Sequence, residues 1–125
     1  MTILFSKKKL SKKSIDDLYQ NGYHLKTEHL TFKWKHEKGD ATNSSKLIIN
    51  VSKKKIKKAV DRNYIKRIIR ESYRINQLII NKFVTLPNQI IIIIYNKSSM
   101  PKFDELNAEF VTLFNHIKKK LNENH

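Results

Sequence analysis

The chain contains no cysteine, two glycines, two prolines and one tryptophan. Without thiols there is no disulfide framework and no thiolate metal centre, and nothing demands an oxidising compartment. Acidic residues are also few: 11 Asp and Glu face 26 Lys and Arg, a formal net charge of +15 in 125 residues. So large a positive field points to a polyanionic partner, with nucleic acid first. The longest apolar run, Ile90 to Tyr95, is too short to span a bilayer. MTILFSKKKL at the N-terminus lacks the long apolar stretch and small-residue cleavage site of a signal peptide. A soluble, cytoplasmic protein without membrane attachment is the expectation. A chain of this length is most simply one domain, residues 1–125.

Its richness in Ile, Lys and Asn is of the kind an AT-rich genome produces, so lysine abundance alone carries little meaning. The pattern of elements carries more. Ser11 to Gly22 reads as a short helix, with Ser14 and Asp17 as a capping-box pair, Ile15, Leu18 and Tyr19 on one face and Gly22 as the C-terminal cap. Leu30, Phe32 and Trp34 alternate with Thr31, Lys33 and Lys35, predicting a strand over Glu28 to His36. A polar connection, His36 to Lys46, leads to a second strand over Leu47 to Ser52, and Tyr23 to Thr27 suits a further short one. Gln89 to Tyr95, QIIIIIY, has β-branched residues without alternation, which predicts a strand covered on both faces. Phe103 to Leu121 repeats its apolar residues at three- and four-residue steps, an amphipathic helix with Asp104 and Glu105 at its start. The order αβββαβα predicts an α+β fold: a single-domain α-β sandwich, three helices on a roughly four-stranded, mainly antiparallel sheet. If strands 47–52 and 89–95 are neighbours they form a parallel pair, and the general rule makes such a crossover right-handed.

Between them lies KKKIKKAVDRNYIKRIIRESYR, Lys53 to Arg74, with ten cations against Asp61 and Glu71. At about 100° per residue, Arg62, Lys66, Arg70, Asn63, Arg74 and Arg67 occupy one arc of about 140°, while Tyr64, Ile75, Ile68, Ile79, Ile65 and Ile69 fall opposite. Burying the isoleucines at about 1.5–3 kcal/mol each outweighs repulsion among solvated cations. The cationic arc needs a different explanation. Four of its five charges are arginines, whose planar forks suit bidentate phosphate contacts, and Asn63 adds a donor and an acceptor. Lys53 to Lys58 precede the helix, where free N–H groups and lysines together favour an anion. RNA or DNA binding follows. The five histidines show no paired metal-ligand spacing, and adjacent Asp16 and Asp17 diverge on a helix, against a two-metal carboxylate site.

The string VSKKKIKKAVDRNYIKRIIRESYR resembles the signature of the bacterial ribonuclease P protein component, V-S-K-K, a basic linker, A-V, then R-N-R-x-K-R-x-x-R-E. Val51 to Lys54, Ala59, Val60, Arg62, Asn63, Lys66, Arg67, Arg70 and Glu71 fall in place, and Tyr64 stands at the third position of the R-N-R triplet. The resemblance implies a fold like the second domain of a small-subunit ribosomal protein, with a left-handed crossover through the basic helix. It implies a protein subunit that binds a catalytic RNA and, with it, acts as an endoribonuclease removing the 5′ leader of precursor tRNA. The RNA would hold the Mg²⁺ ions, and no further protein partner would be required. Carried over residue by residue, RNA-subunit contacts fall to Lys53, Lys54, Lys58, Arg62, Asn63, Lys66, Arg67, Arg70 and Arg74. Leader contacts fall to Ile15, Tyr19, Phe32 and Lys33 in a cleft between the sheet and the first helix, although members of the family commonly place aromatic rings where Ile15 and Lys33 stand. Phe32 and Trp34 also suit an ordinary strand core. Three readings stay open on the residues alone: this subunit, a ribosomal-protein-like RNA binder or RNA chaperone, and a cationic amphipathic helix lying on a membrane surface.

Overall fold

The computed structural model describes residues 4–5, 12–36, 44–80 and 89–123. The predicted polar connection between His36 and Lys46 therefore lies mostly outside the described residues. In chain order the elements are β1 (Leu4–Phe5), α1 (Lys12–Asn21), β2 (Tyr23–Lys26), β3 (Leu30–His36), β4 (Ser44–Val51), α2 (Ala59–Ile80), β5 (Gln89–Tyr95) and α3 (Phe103–Glu123). The expected αβββαβα order is present, preceded by a two-residue strand. The sheet runs β1-β4-β5-β3-β2. β1 and β5 each pair with β4 in parallel, while β3 pairs antiparallel with β5 and β2. The two central neighbours β4 and β5 are thus joined by a crossover that contains the basic helix.

Successive side chains of a strand point to opposite faces, so the register sorts the sheet into rows. Leu25, Phe32, Ile93 and Ile49 share one row, and Trp34, Ile91 and Leu47 another. These rows belong to the main core, which α2 closes with Ile65, Ile68, Ile69 and Tyr73 and α3 closes with Leu106, Phe110, Leu113, Phe114 and Ile117. Phe110 sits edge-on to Phe32 at 5.3 Å and to Tyr73 at 6.4 Å between ring centroids. On the opposite face, Lys33, Ile92 and Ile48 form one row and Thr31, Ile94 and Asn50 the next. There Leu18 of α1 packs on Ile90 and Ile92, with Ile15, Ile48 and Ile94 at its margin. The isoleucine run of β5 lacks alternation because both of its faces are covered.

Polar groups fix the ends. His29 is clamped between Glu109, 2.6 Å from its Nδ1, and Glu105, 3.3 Å from its Nε2. The same Glu109 accepts the His29 backbone N–H at 2.8 Å, fastening the β2–β3 turn to α3. The Tyr95 hydroxyl donates to the Ser99 carbonyl at 2.6 Å, and burial, with Glu105 and Glu109 nearby, pushes its phenol up to about 12. Between α2 and α3 the Asn76 amide donates to the Ser72 carbonyl and the Asn107 side chain, both at 2.8 Å.

One reading of α1 changes. The helix begins before Ser14, so that residue is helical rather than an N-cap. Gly22 does end it, its N–H donating to the Leu18 carbonyl at 2.9 Å. The requirement for glycine there is space: a Cβ would stand 2.5 Å from the Leu18 carbonyl oxygen and 2.8 Å from that of Trp34. Both atoms are backbone and cannot swing aside. Gly22→Ala should lower stability by about 1–3 kcal/mol through forced displacement of α1 from β3, measured by urea denaturation against wild type.

Candidate nucleic-acid interface

The approach to α2 is built around one apolar side chain. Ile56 is buried in the main core, and its N–H donates to the Ser52 carbonyl at 2.9 Å, while the Ser52 hydroxyl accepts the Lys54 N–H at 3.2 Å. With that turn pinned, Lys53, Lys54, Lys55, Lys57 and Lys58 are all exposed around it. Lys55 reaches the Asn96 carbonyl at 2.7 Å and ties the turn to the segment after β5. Asp61 occupies the first turn of α2, where its charge complements the helix dipole.

Arg62 is committed differently from its neighbours. It is half-buried, and its Nη1 donates to the Ile56 carbonyl at 2.9 Å and the Lys57 carbonyl at 2.8 Å. It therefore holds the lysine turn against the helix. Asn63, Arg67, Arg70 and Arg74 are exposed and Lys66 is half-buried beside them. Arg74 pairs with Glu71 at 2.5 Å; that hydrogen bond lowers the Glu71 carboxyl pKa and raises that of the guanidinium. The cationic residues named from the sequence thus form one continuous surface from the turn along α2.

The helical wheel misplaced two residues, Tyr64 and Ile79. Tyr64 falls with the isoleucines by angle, yet it is exposed, with the Arg67 guanidinium carbon 5.5 Å from its ring centroid. The buried arc of α2 is rotated because the helix packs on α3 as well as on the sheet. Tyr73, at the edge of the wheel's apolar arc, is fully buried against Phe110 and Phe114, whereas Ile79 is half exposed.

The second zone lies on the other side of the sheet. Tyr19 of α1 is 50% exposed, and Lys33 Nζ sits 3.8 Å above its ring centroid. Ile15, Ile48 and Ile94 are only half-buried, leaving an apolar strip beside this pair. Lys35 pairs with Asp17 across α1 and β3. That hydrogen bond, with one from Asn21, holds the Asp17 carboxyl below its ordinary range against a small opposing effect of desolvation. Phe32 does not belong here. It is fully buried beneath Phe110 on the opposite face, and neighbours on a strand cannot share a face: with Lys33 turned toward α1, Phe32 must turn away. Trp34, also fully buried, follows Phe32 into the core.

The sequence from residue 6 to 118 matches the Ribonuclease P family model. The chain belongs to this family. It is 38% identical over 104 residues to the Ribonuclease P protein component of Pseudoalteromonas atlantica, covering 83% of this chain and 77% of that relative. With the component from Vibrio campbellii the identity is 31% over 112 residues, 90% and 85% of the two chains. The fold is similar to that of a Staphylococcus aureus RNase P protein mutant, with a TM-score of 0.66 at 23% identity over 91% of this chain and 87% of that one. It is also similar to the RNase P protein from Thermotoga maritima, with a TM-score of 0.63 at 24% identity over 86% and 94%. Membership in this family places the chain in a ribonucleoprotein with RNase P RNA and favours that reading over a ribosomal-protein-like binder or chaperone. Among the described residues no helix is long and apolar enough to cross a membrane, and the apolar stripe of α2 is occupied by the core rather than free for a bilayer surface.

Two experiments probe this geometry. Asn63→Ala and Arg67→Ala should weaken RNA binding with little change in thermal midpoint, whereas Arg62→Ala should also cost about 1.5–3 kcal/mol of stability through its two lost carbonyl contacts; equal midpoints for all three would contradict the anchoring role. Because Asp17 titrates lower in the folded chain than unfolded, its pairing stabilises above the unfolded pKa and is lost as pH falls through the folded one. Thermal midpoints of wild type and Asp17→Asn should differ near neutrality and converge in acid.

Proposed function

We propose that the chain is the protein subunit of ribonuclease P, an endoribonuclease acting in the cytoplasm on precursor tRNA. In this reading the catalytic RNA carries the chemistry and holds most of the Mg²⁺. The protein binds that RNA and the 5′ leader of precursor tRNA and promotes endonucleolytic removal of the leader to give the mature tRNA 5′ end. The observation that carries the reading is the continuous cationic surface from the Ile56-pinned turn along α2, which coincides with the family signature. Lys53, Lys54, Lys58, Asn63, Lys66, Arg67, Arg70 and Arg74 would contact the RNA subunit. Arg62 would act chiefly by presenting the lysine turn.

Tyr19, Lys33 and Ile15, with the half-buried Ile48 and Ile94 beside them, offer a ring, a cation and an apolar floor for a single strand, which supports assigning the leader to this side. The main core separates the two zones, so one protein would hold two RNA segments at once. With a lysine where relatives carry an aromatic ring, leader affinity would lean more on phosphate contact and less on stacking.

Reconstitution with a bacterial RNase P RNA at low Mg²⁺ should show faster cleavage of precursor tRNA than the RNA alone. If about five or six phosphates are neutralised, affinity for the RNA should fall by orders of magnitude between about 50 and 200 mM salt. Absence of both selective RNA binding and stimulated cleavage refutes the reading.

A further inference from the structure

Tyr64 departs from the R-N-R triplet, and the fold puts the departure at the edge of the cationic surface, beside Arg67. It takes no part in either hydrophobic cluster. The residue is 42% exposed, and Val60, one turn earlier on the same side of α2, is 76% exposed. Asn63 and Arg67, its neighbours on the helix, are exposed as well. The Arg67 guanidinium lies over the ring at 5.5 Å, a cation–π contact that steadies this partly exposed side chain. An arginine at this position would add one more phosphate contact. A tyrosine adds a flat, polarisable surface, which phosphate cannot use and a nucleobase can.

We propose that Tyr64 stacks on an unpaired nucleobase of the RNA bound along α2, with Arg67 bracing the ring and reaching an adjacent phosphate. This deepens the RNA-binding reading of α2 and rests on it. The surface then combines two modes of recognition. Cations track the backbone without regard to base pairing, whereas the ring requires a base freed from its helix. The chain would thus favour RNA with an unpaired residue at this point over a continuous duplex.

The test compares wild type with Tyr64→Ala, Tyr64→Phe and Tyr64→Arg on two probes, a bacterial RNase P RNA and a short oligoadenylate, over a salt series. Because Tyr64 lies outside the core, all four proteins should share a thermal midpoint. Loss of the ring in Tyr64→Ala should weaken binding by about 5- to 150-fold at every salt concentration without changing the salt slope. Tyr64→Phe should bind like wild type. Tyr64→Arg should steepen the slope by about 0.7–0.9 and lose affinity for oligoadenylate. Wild-type affinity in Tyr64→Ala on both probes, or a Tyr64→Phe variant as weak as Tyr64→Ala, overturns the stacking assignment. The two levels separate cleanly. If wild type binds RNase P RNA selectively while Tyr64→Ala matches it on both probes, only the stacking inference fails. If wild type ignores that RNA but oligoadenylate binding depends on the ring, the ribonuclease P assignment fails and stacking stands.

Discussion

Burial of β5 on both faces is the constraint on which the rest of the structure depends. Its odd-numbered residues, Ile91, Ile93 and Tyr95, face α2 and α3, and its even-numbered Ile90, Ile92 and Ile94 face α1. A strand of this kind has to sit inside the sheet, flanked by β4 and β3. That position forces helices onto both sides. It also places the cationic helix and the α1 strip on opposite sides of one rigid layer.

The same burial answers how a segment with so many like charges stays folded. Exposed cations repel each other weakly through water and counter-ions, whereas Ile65, Ile69 and Tyr73 are removed from solvent completely. Electrostatic discomfort is confined to the outer side of α2, where it is relieved locally by Glu71 and by the Tyr64 ring. An RNA partner would relieve the remainder, so assembly and the residual strain of the free protein are two aspects of one charge distribution.

Much of this was legible in the letters. Period-two alternation located β3, unbroken β-branched residues located β5 with its boundaries, and helical spacing located α3 to within two residues at its C-terminal end. The cationic residues of α2 could be named because arginine spacing survives any bias in composition. What escaped were effects that need a second element. A wheel for one helix cannot show that α3 shares its burial, so Tyr64 was turned inward and Ile79 was counted as core. Hydrogen bonds from Arg62 to two carbonyls depend on a turn whose path no pattern specifies. The pairing of Phe32 with Lys33 in one cleft is different. Strand alternation alone forbids it, and that signal was present in the sequence.

The turn before α2 has a further consequence for how this protein tolerates change. Its shape is held by Ile56 in the core, by the backbone of Ser52, by Arg62 and by Lys55 on the Asn96 carbonyl, while Lys53, Lys54, Lys57 and Lys58 stand exposed around them. The number of positive charges there can therefore drift by mutation at almost no cost to folding, tuning affinity in small steps. Ile56 and Arg62 lack that freedom: altering either would move every lysine at once.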